Sequence, residues 1–255
     1  MTANTANSLP APPPLASIQR PALFLDLDGT LAAIEPQPED VKAEPWRTQL
    51  LDKLHDNLEG RLAVVSGRTL EELDRILEGA VPALAAVHGL IRRRQDGTVL
   101  QSPPHPGLTA ARAEVAALTA GRTGLKVEDK GLSIALHYRH APVLGARIRA
   151  DLQRIAKENG LKLQMGDMVA EICSPGFDKG AAVRAFMAEE PFAGSTPIFV
   201  GDDLTDEDGF RIVREMGGLG VLAGAPRPTF ARSALPGVEA VRAWLETSQM
   251  EPAAS

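Results

Sequence analysis

The stretch LFLDLDGTLAAI, residues 23–34, begins with an apolar run and ends that run in two aspartates. The run extends back to Pro21 and has the composition and length of a buried strand. Asp26 and Asp28 follow it, separated by one leucine, and Gly29 comes next. Two like charges at the end of a core strand repel each other unless a cation offsets them. The stretch therefore predicts a core strand whose end carries a polar site.

Strands and helices alternate on both sides of this stretch. RLAVV (61–65), ALAAVHG (83–89), TPIFVGDD (196–203) and GLGVLAG (218–224) read as further strands. Between them, apolar residues recur at helical spacing from Trp46 to Leu58, and Thr69 and Gly79 bracket TLEELDRILEG as N-cap and stop signal. Helices are also predicted from Lys179, around Phe210, and over 238–246. Such alternation predicts an α/β fold with a parallel sheet between helices.

A different pattern interrupts this alternation. QSPPHPG (101–107) has three prolines in seven residues and reads as a linker. A helix (109–120), a hairpin at 129–131, a helix (143–159) and a hairpin at 166–167 follow, which is an α+β pattern. We therefore predict a discontinuous core over 20–100 and 173–250, with an inserted α+β domain over 101–172. Residues 1–19, rich in Ala, Pro, Asn and Thr, are predicted to form a disordered tail.

Bulk properties exclude several classes of protein. The net charge of -6 disfavours a nucleic-acid binder, which needs a basic surface. Cys173 is the single cysteine, so no intrachain disulfide is possible and a reducing compartment is favoured. No apolar run approaches the roughly 20 residues that span a bilayer, and the N-terminus lacks the features of a signal peptide. We expect a cytoplasmic protein for which a monomer is possible. Its expected partner is a small molecule, and we expect it to bind neither nucleic acid nor membrane.

Polar side chains follow the predicted strand ends, where open α/β sheets bind their ligands. Crowded carboxylates with a nearby lysine and serine suit Mg²⁺ and a phosphate group. In phosphoryl transfer, positioning and charge neutralisation supply most of the catalysis, and a carboxylate can act as the nucleophile. The polar segments that follow a predicted strand or precede a predicted helix are Asp26–Thr30, Ser66–Arg68, Asp178–Gly180 and Gly201–Asp203.

In this order, D-x-D-G-T, S-G, a later lysine and G-D-D resemble the four-part signature of the haloacid dehalogenase-like (HAD) phosphohydrolases. LFLDLDGTL, VVSGR, VEDKGLSIALHYR, GFDKGAAV and VGDDLTDEDGF are similar, more specifically, to segments of the trehalose-6-phosphate phosphatase family. The resemblance covers about residues 21–246. It implies a Rossmann-like HAD core with the insert as a mobile cap, and Mg²⁺-dependent hydrolysis of trehalose 6-phosphate to trehalose and phosphate.

The resemblance also implies roles for single residues. Asp26 would be the nucleophile, and Asp28 would protonate the leaving oxygen and later deprotonate the water. Ser66 and Lys179 would hold the phosphate as further catalytic residues. The implied metal ligands are Asp26, Asp28 through its carbonyl, Asp202 and Asp203, with Asp203 alternatively orienting Lys179. The implied substrate-binding residues are Leu27, Gly29, Thr30, Gly67 and Arg68 in the core, and Glu128, Lys130 and Glu171 in the insert, where carboxylates would accept sugar hydroxyls.

Several alternatives stay open. Arg68 can reach phosphate or sugar, or pair with a carboxylate. Glu207 and Asp208 are interpreted as acids that favour a helix start, whereas the role of Asp206 is undecided, and His88 lines the pocket or is structural. Rival functions are hydrolysis of another sugar phosphate of the sucrose or mannose type, a sugar phosphomutase, and a non-catalytic domain that kept the fold.

Overall fold

The structure is a computed structural model, and it describes residues 4–5 and 9–248. Its described part divides into two compact units: the residues up to Leu100 together with those from Asp178 onward, and Gln101–Phe177. In chain order, the strands and helices are β1 (Asn4–Thr5), β2 (Pro21–Leu25), α1 (Pro45–Asn57), β3 (Leu62–Val65), α2 (Leu70–Leu77), β4 (Ala83–Ala86), β5 (Ile91–Arg93), β6 (Val99–Gln101), α3 (Leu108–Thr119), β7 (Lys126–Asp129), β8 (Ser133–His137), α4 (Gly145–Glu158), β9 (Lys162–Gly166), β10 (Val169–Cys173), α5 (Lys179–Met187), β11 (Thr196–Gly201), α6 (Asp206–Glu215), β12 (Leu219–Ala223), β13 (Pro228–Thr229), β14 (Ser233–Leu235) and α7 (Val238–Thr247).

An eight-stranded sheet forms the centre of the first unit, in the order β14-β12-β11-β2-β3-β4-β5-β6. The six strands from β14 to β4 run parallel, and β5 pairs antiparallel with β4. The predicted parallel α/β sheet is confirmed. β5 and β6 were not predicted, because three arginines follow Ile91. One of these arginines, Arg92, is buried, and its guanidinium lies over the ring of Phe186, 4.9 Å from the ring centroid.

Aromatic packing fixes the central strands β2 and β11. The rings of Phe24 and Phe192 stack with centroids 5.4 Å apart, and Phe199 meets Phe210 of α6 edge-on at 5.7 Å. Every residue of β3 and β4 is buried, as expected for parallel strands covered on both faces. Each fully buried phenylalanine, leucine or valine side chain of this core contributes roughly 1.5–3 kcal/mol to the free energy of unfolding. The strand ends that carry the polar residues are therefore held by a rigid core.

Two N-caps place residues of the candidate site at helix starts. Thr69 Oγ1 accepts the Glu72 N–H at 3.3 Å, and the Glu72 carboxylate accepts the Thr69 N–H at 2.9 Å, which is the predicted cap in the form of a capping box. Asp178 Oδ1 accepts the Ala181 N–H at 2.8 Å and starts α5. Arg68 and Lys179 each stand next to one of these caps, so both are fixed in direction.

The second unit is a four-stranded antiparallel sheet, in the order β7-β8-β10-β9, with α3 and α4. The apolar residues of one face pack against these helices, for example Ile134 against a cluster that includes Ile148 and Leu152. The register places Glu128 opposite Ala135, and Ala135 opposite Glu171. These two carboxylates therefore lie in one row on the same face of the sheet.

The predicted disordered tail (1–19) lies partly outside the described residues. Its described part, residues 9–19, differs from the prediction because it contacts the core. Leu15 is buried, its N–H donates to Ser248 Oγ at 3.3 Å, and Trp244 Nε1 donates to the Pro13 carbonyl at 3.0 Å. One leucine and the carbonyls of a proline run suffice for these contacts, and composition does not reveal them. No helix in the described ranges combines the length and apolarity needed to cross a membrane.

Candidate active site

A buried lysine joins two carboxylates at the carboxyl end of β2. Lys179 Nζ lies 2.8 Å from Asp26 Oδ1 and 2.6 Å from Asp206 Oδ1. The side chain of Lys179 is only 2% exposed, and that of Asp206 is fully buried. Because an unpaired charge at this depth is costly, the three groups are mutually dependent.

A third carboxylate completes the cluster. Carboxylate oxygens of Asp26, Asp202 and Asp206 all lie within 4.8 Å of one another. Asp202 Oδ1 is buried without a hydrogen-bond partner. Gly29 has φ +77°, and a Cβ at this position would stand 2.0 Å from Asp202 Oδ2. Only glycine therefore allows the turn after β2 to approach this carboxylate so closely.

The charges of this cluster are out of balance. Burial raises the pKa of Asp26 well above its ordinary value, and Asp206 and Asp202 add to this rise although Lys179 opposes it. Burial and Asp206 raise the pKa of Asp202 to about 7. Burial lowers the pKa of Lys179, but the charges of Asp206 and Asp26 outweigh it and leave that pKa above its ordinary value. One ammonium group does not neutralise three carboxylates.

The donor set fits a hard divalent cation. It consists of carboxylate oxygens, which Mg²⁺ prefers over nitrogen or sulfur ligands. The buried Asp202 Oδ1 lacks a hydrogen-bond partner, and a cation there would satisfy it and relieve the repulsion among the carboxylates. Asp26, Asp202 and Asp206 are thus the side chains that would hold such an ion.

We expect the chelated protein to lose thermal stability as the pH rises from about 4 to about 7. In the unfolded chain the Asp202 carboxyl deprotonates near its ordinary pKa, whereas the folded state keeps the proton until about pH 7. Over this window the folded state binds more protons, so raising the pH favours unfolding. Melting in EDTA at several pH values checks this, with Asp202→Asn expected to flatten the slope. A melting temperature that rises through this window in the wild type would contradict the assigned shift.

Arg68 holds the second aspartate of the motif. Its Nε donates to Asp28 Oδ2 at 2.8 Å and its Nη2 donates to Asp28 Oδ1 at 2.7 Å. The Arg68 N–H also donates to Ser66 Oγ at 3.2 Å. Because β2 and β3 are parallel neighbours, with Leu25 opposite Val64, Ser66 leaves the sheet beside the aspartates. Two roles were left open for Arg68, contact with the substrate and pairing with a carboxylate. The structure shows Arg68 paired with the carboxylate of Asp28.

Asp203 and Asp206 make different contacts. Asp203 Oδ1 accepts the Leu204 N–H at 2.7 Å, and its predicted role at the metal stays a prediction. The contact with Lys179, which was one alternative for Asp203, is made by Asp206, whose Oδ2 also accepts the Asp203 N–H at 2.9 Å. The role of Asp206 was left undecided because it begins α6 after a turn, and the sequence of that turn does not select one of these acids.

The predicted substrate-binding residues of the core differ in what they expose. Leu27 and Thr30 are fully buried, and the Gly29 N–H donates to the Ala32 carbonyl at 2.7 Å. The Leu27 carbonyl also accepts hydrogen bonds within this turn, including one from the Thr30 N–H at 3.3 Å. Gly67 lies against the imidazole of His88, since a Cβ at Gly67 would stand 2.6 Å from the ring. Substrate contact by these residues stays a prediction.

Four charged or titratable side chains of the second unit form two pairs. Lys130 Nζ lies 2.9 Å from Glu171 Oε2, and both side chains are less than a tenth exposed. His137 Nε2 lies 2.8 Å from Glu128 Oε2. Burial raises the pKa of Glu128, but the His137 hydrogen bond and the Lys130 charge outweigh it and leave the pKa below its ordinary value. The role of His137 as the partner of Glu128 was not predicted, because it depends on the hairpin register.

This chain is similar in sequence and in fold to known phosphatases. The trehalose-phosphatase family model matches residues 24–234. The trehalose-6-phosphate phosphatase of Escherichia coli (strain K12) is 41% identical over 88% of this chain and 85% of its own length. The C-terminal domain of Candida albicans trehalose-6-phosphate phosphatase has a TM-score of 0.81 at 20% identity, over 95% of this chain and 98% of that domain. A phosphatase of the HAD superfamily from Bacteroides thetaiotaomicron has a TM-score of 0.62 at 16% identity, over 93% and 97%.

The fold is similar to that of a phosphatase of the HAD superfamily, as the sequence predicted, and the family model and the curated relatives show that this chain is a phosphatase. Within this class the assignment is more specific, because the family match spans most of the chain. The chain belongs to the trehalose-phosphatase family.

Proposed function

We propose that this protein hydrolyses trehalose 6-phosphate to trehalose and phosphate, with Mg²⁺ bound by the carboxylate cluster. The observation that carries the proposal is the buried Lys179, which touches Asp26 while Asp202 and Asp206 crowd the same point. Such a site attracts a cation and a phosphate dianion together. Mg²⁺, when bound, supplies positive charge that offsets the phosphate.

Asp26 is the proposed nucleophile. One of its oxygens bonds to phosphorus as the bond from phosphorus to the sugar oxygen breaks, which gives an aspartyl-phosphate and a free sugar. Lys179 fixes the Asp26 carboxylate at 2.8 Å and adds positive charge beside the transferring group. Because Asp206 holds Lys179 from the other side, the ammonium group stays in place through the reaction.

Asp28 is the proposed proton donor and acceptor. It gives a proton to the departing sugar oxygen and then takes one from the water that attacks the aspartyl-phosphate. Phosphate leaves and Asp26 is regenerated. Ser66, at the end of the neighbouring strand, is proposed to donate its hydroxyl to a phosphoryl oxygen, and the start of α2 adds main-chain N–H groups.

Glu128, Lys130 and Glu171 are proposed to bind the hydroxyls of the sugar, as the family resemblance implies. Glu128 and Glu171 lie in one row of the insert sheet, and Lys130 contacts Glu171, which supports this role because charged side chains there need polar partners. A site built on such hydrogen bonds rejects analogues that lack the matching hydroxyl.

We expect Glu128→Gln to raise KM for trehalose 6-phosphate about tenfold with a smaller effect on kcat, because uniform binding is lost. The amide oxygen can still accept a hydrogen bond from His137, so the hairpin should keep its structure. Hydrolysis of p-nitrophenyl phosphate, which has no sugar, should be unchanged. Glu158→Gln, an exposed glutamate of the same unit, is the control. Equal losses on both esters would argue against a role in sugar binding.

The direct test is phosphate release from a panel of sugar phosphates, with Mg²⁺ and with EDTA. The proposal expects trehalose 6-phosphate to be preferred and EDTA to abolish turnover. Preference for a sucrose- or mannose-type ester would instead support the rival phosphatase. Transfer of phosphate between sugars without its release would indicate a phosphomutase.

We also propose a cytoplasmic location and activity as a monomer. Cell fractionation would check the location and sedimentation would check the oligomeric state; the buried single cysteine is compatible with both.

A further inference from the structure

We infer that Arg68 is a positioning residue for proton transfer: its guanidinium fixes the plane of the Asp28 carboxyl group. When Asp28 carries the proton for the leaving oxygen on one of its oxygens, the other oxygen keeps its hydrogen bond from Arg68 and so keeps this plane. This inference deepens the proposed function and rests on it. It differs from the expectation that Arg68 binds the substrate.

The Asp28 carboxylate depends on Arg68 for its direction. Both of its oxygens accept hydrogen bonds from Arg68, at 2.7 and 2.8 Å, in a side-by-side fork. Among the described residues, no other side chain or main-chain group donates to this carboxylate. Its side chain is 37% exposed, so packing alone does not hold it. Without the fork, Asp28 would be free to sample several rotamers.

Arg68 is itself held on its far side. Its Nη1 donates to the Pro38 carbonyl at 2.8 Å and to Glu72 Oε1 at 3.2 Å, and the side chain is 8% exposed. Glu72 is fixed in turn by the capping box of α2, where its Oε2 accepts the Thr69 N–H and hydroxyl. The start of α2 thus sets the direction of Arg68, and Arg68 sets that of Asp28.

Arginine suits this task better than lysine does. A planar guanidinium presents two parallel N–H groups that match the two oxygens of a carboxylate, whereas an ammonium group is a point charge that fixes no plane. A lysine at position 68 would keep the charge and lose the fork. The substitution Arg68→Lys therefore separates orientation of Asp28 from simple charge compensation.

Proton donation matters unequally for different esters. A sugar alkoxide is a poor leaving group and needs a proton as it departs, whereas p-nitrophenolate is stable without one. General acid catalysis contributes about 10²–10⁴-fold where it is needed. Since kcat/KM covers only the steps up to the first irreversible one, here formation of the aspartyl-phosphate, it reports this proton transfer and excludes the later attack by water.

The experiment compares kcat/KM for trehalose 6-phosphate and p-nitrophenyl phosphate in wild type, Arg68→Lys, Asp28→Asn and the double variant. We expect Arg68→Lys to lose about 30-fold on the sugar ester, within the range of general acid catalysis, and less than about threefold on the aryl ester. In the Asp28→Asn background the same change should cost almost nothing, because the group that it orients is absent. Arg75→Lys, at an exposed arginine of α2, the helix that follows Arg68, should leave both values unchanged.

Equal losses on both esters, or an undiminished loss in the Asp28→Asn background, would overturn the inference while the proposed function stands. If Arg68→Lys melts far below the wild type, Arg68→Gln replaces it, since it leaves no buried unpaired charge, and the same criteria apply. If the wild type prefers another sugar phosphate, that ester takes the place of trehalose 6-phosphate. A wild type that hydrolyses neither class of ester refutes the proposed function itself.

Discussion

Asp26→Asn is expected to lower phosphate release by about four orders of magnitude, the scale reached when a catalytic nucleophile is removed. The amide is nearly isosteric with the carboxylate but cannot form the acyl-phosphate bond. The substitution also removes one of three crowded carboxylates, so the chelated variant should melt at or above the temperature of the wild type. Phosphate release, with thermal melting beside it, measures both effects.

The controls for Asp26→Asn address its two weak points. Mass spectrometry must show that the asparagine has not deamidated to aspartate, which would restore activity. Asp40→Asn, at an exposed aspartate, should match the wild type in both assays. Full activity in a verified Asp26→Asn sample would refute the nucleophile assignment. A large drop in its melting temperature would mean that the carboxylate serves the fold as well.

Lys179→Met is expected to have the largest effect on stability. The substitution removes the one ammonium group that contacts Asp26 and Asp206, and both carboxylates stay buried. Breaking a buried pair in this way costs about 3–5 kcal/mol of the free energy of unfolding. For a domain of this size that corresponds to a fall of about 6–20 °C in melting temperature. Activity should fall with it, since the carboxylate of Asp26 loses its positioning contact.

A second substitution tests the cause of this loss. In Lys179→Met with Asp206→Asn, one of the stranded charges is neutralised, so part of the lost stability should return. Lys157→Met, on the exposed face of α4, is the matched control and should change little. If the double variant is less stable than Lys179→Met by the full cost of Asp206→Asn alone, the two residues are not coupled and the charge argument fails.

Much of the fold could be predicted because the spacing of apolar residues along the chain indicates which faces of helices and strands are buried. Apolar runs and their alternation with amphipathic segments predicted the parallel sheet and the two hairpins between 126 and 173, since each depends on side chains near one another in the chain. β5 was not predicted because Arg92 is buried with its guanidinium over the Phe186 ring, and a charged residue in a sequence does not indicate a buried strand. The contacts of Leu15 escaped for a similar reason, because a single leucine forms no pattern.

The candidate site was predictable in its members but less so in its pairings. Asp26, Lys179 and Asp202 follow strand ends or begin a helix, so topology alone directs them to one edge of the sheet. The choice between Asp203 and Asp206 depends on how the turn after β11 folds, and local spacing leaves both possible. The pairs Arg68–Asp28 and His137–Glu128 depend on register and rotamers, which no periodicity encodes.

The position of β2 in the sheet bears on how this protein matures during its synthesis. β2 lies between β3, which is made soon after it, and β11, which is made only after the entire insert. The loop with Gly29 meets Asp202 from that late segment, so the carboxylate cluster is incomplete until Asp206 has been synthesised and has left the ribosome. Nascent chains are consequently inert toward phosphate esters through most of translation, and the exposed flank of β2 is where a chaperone has the longest opportunity to bind.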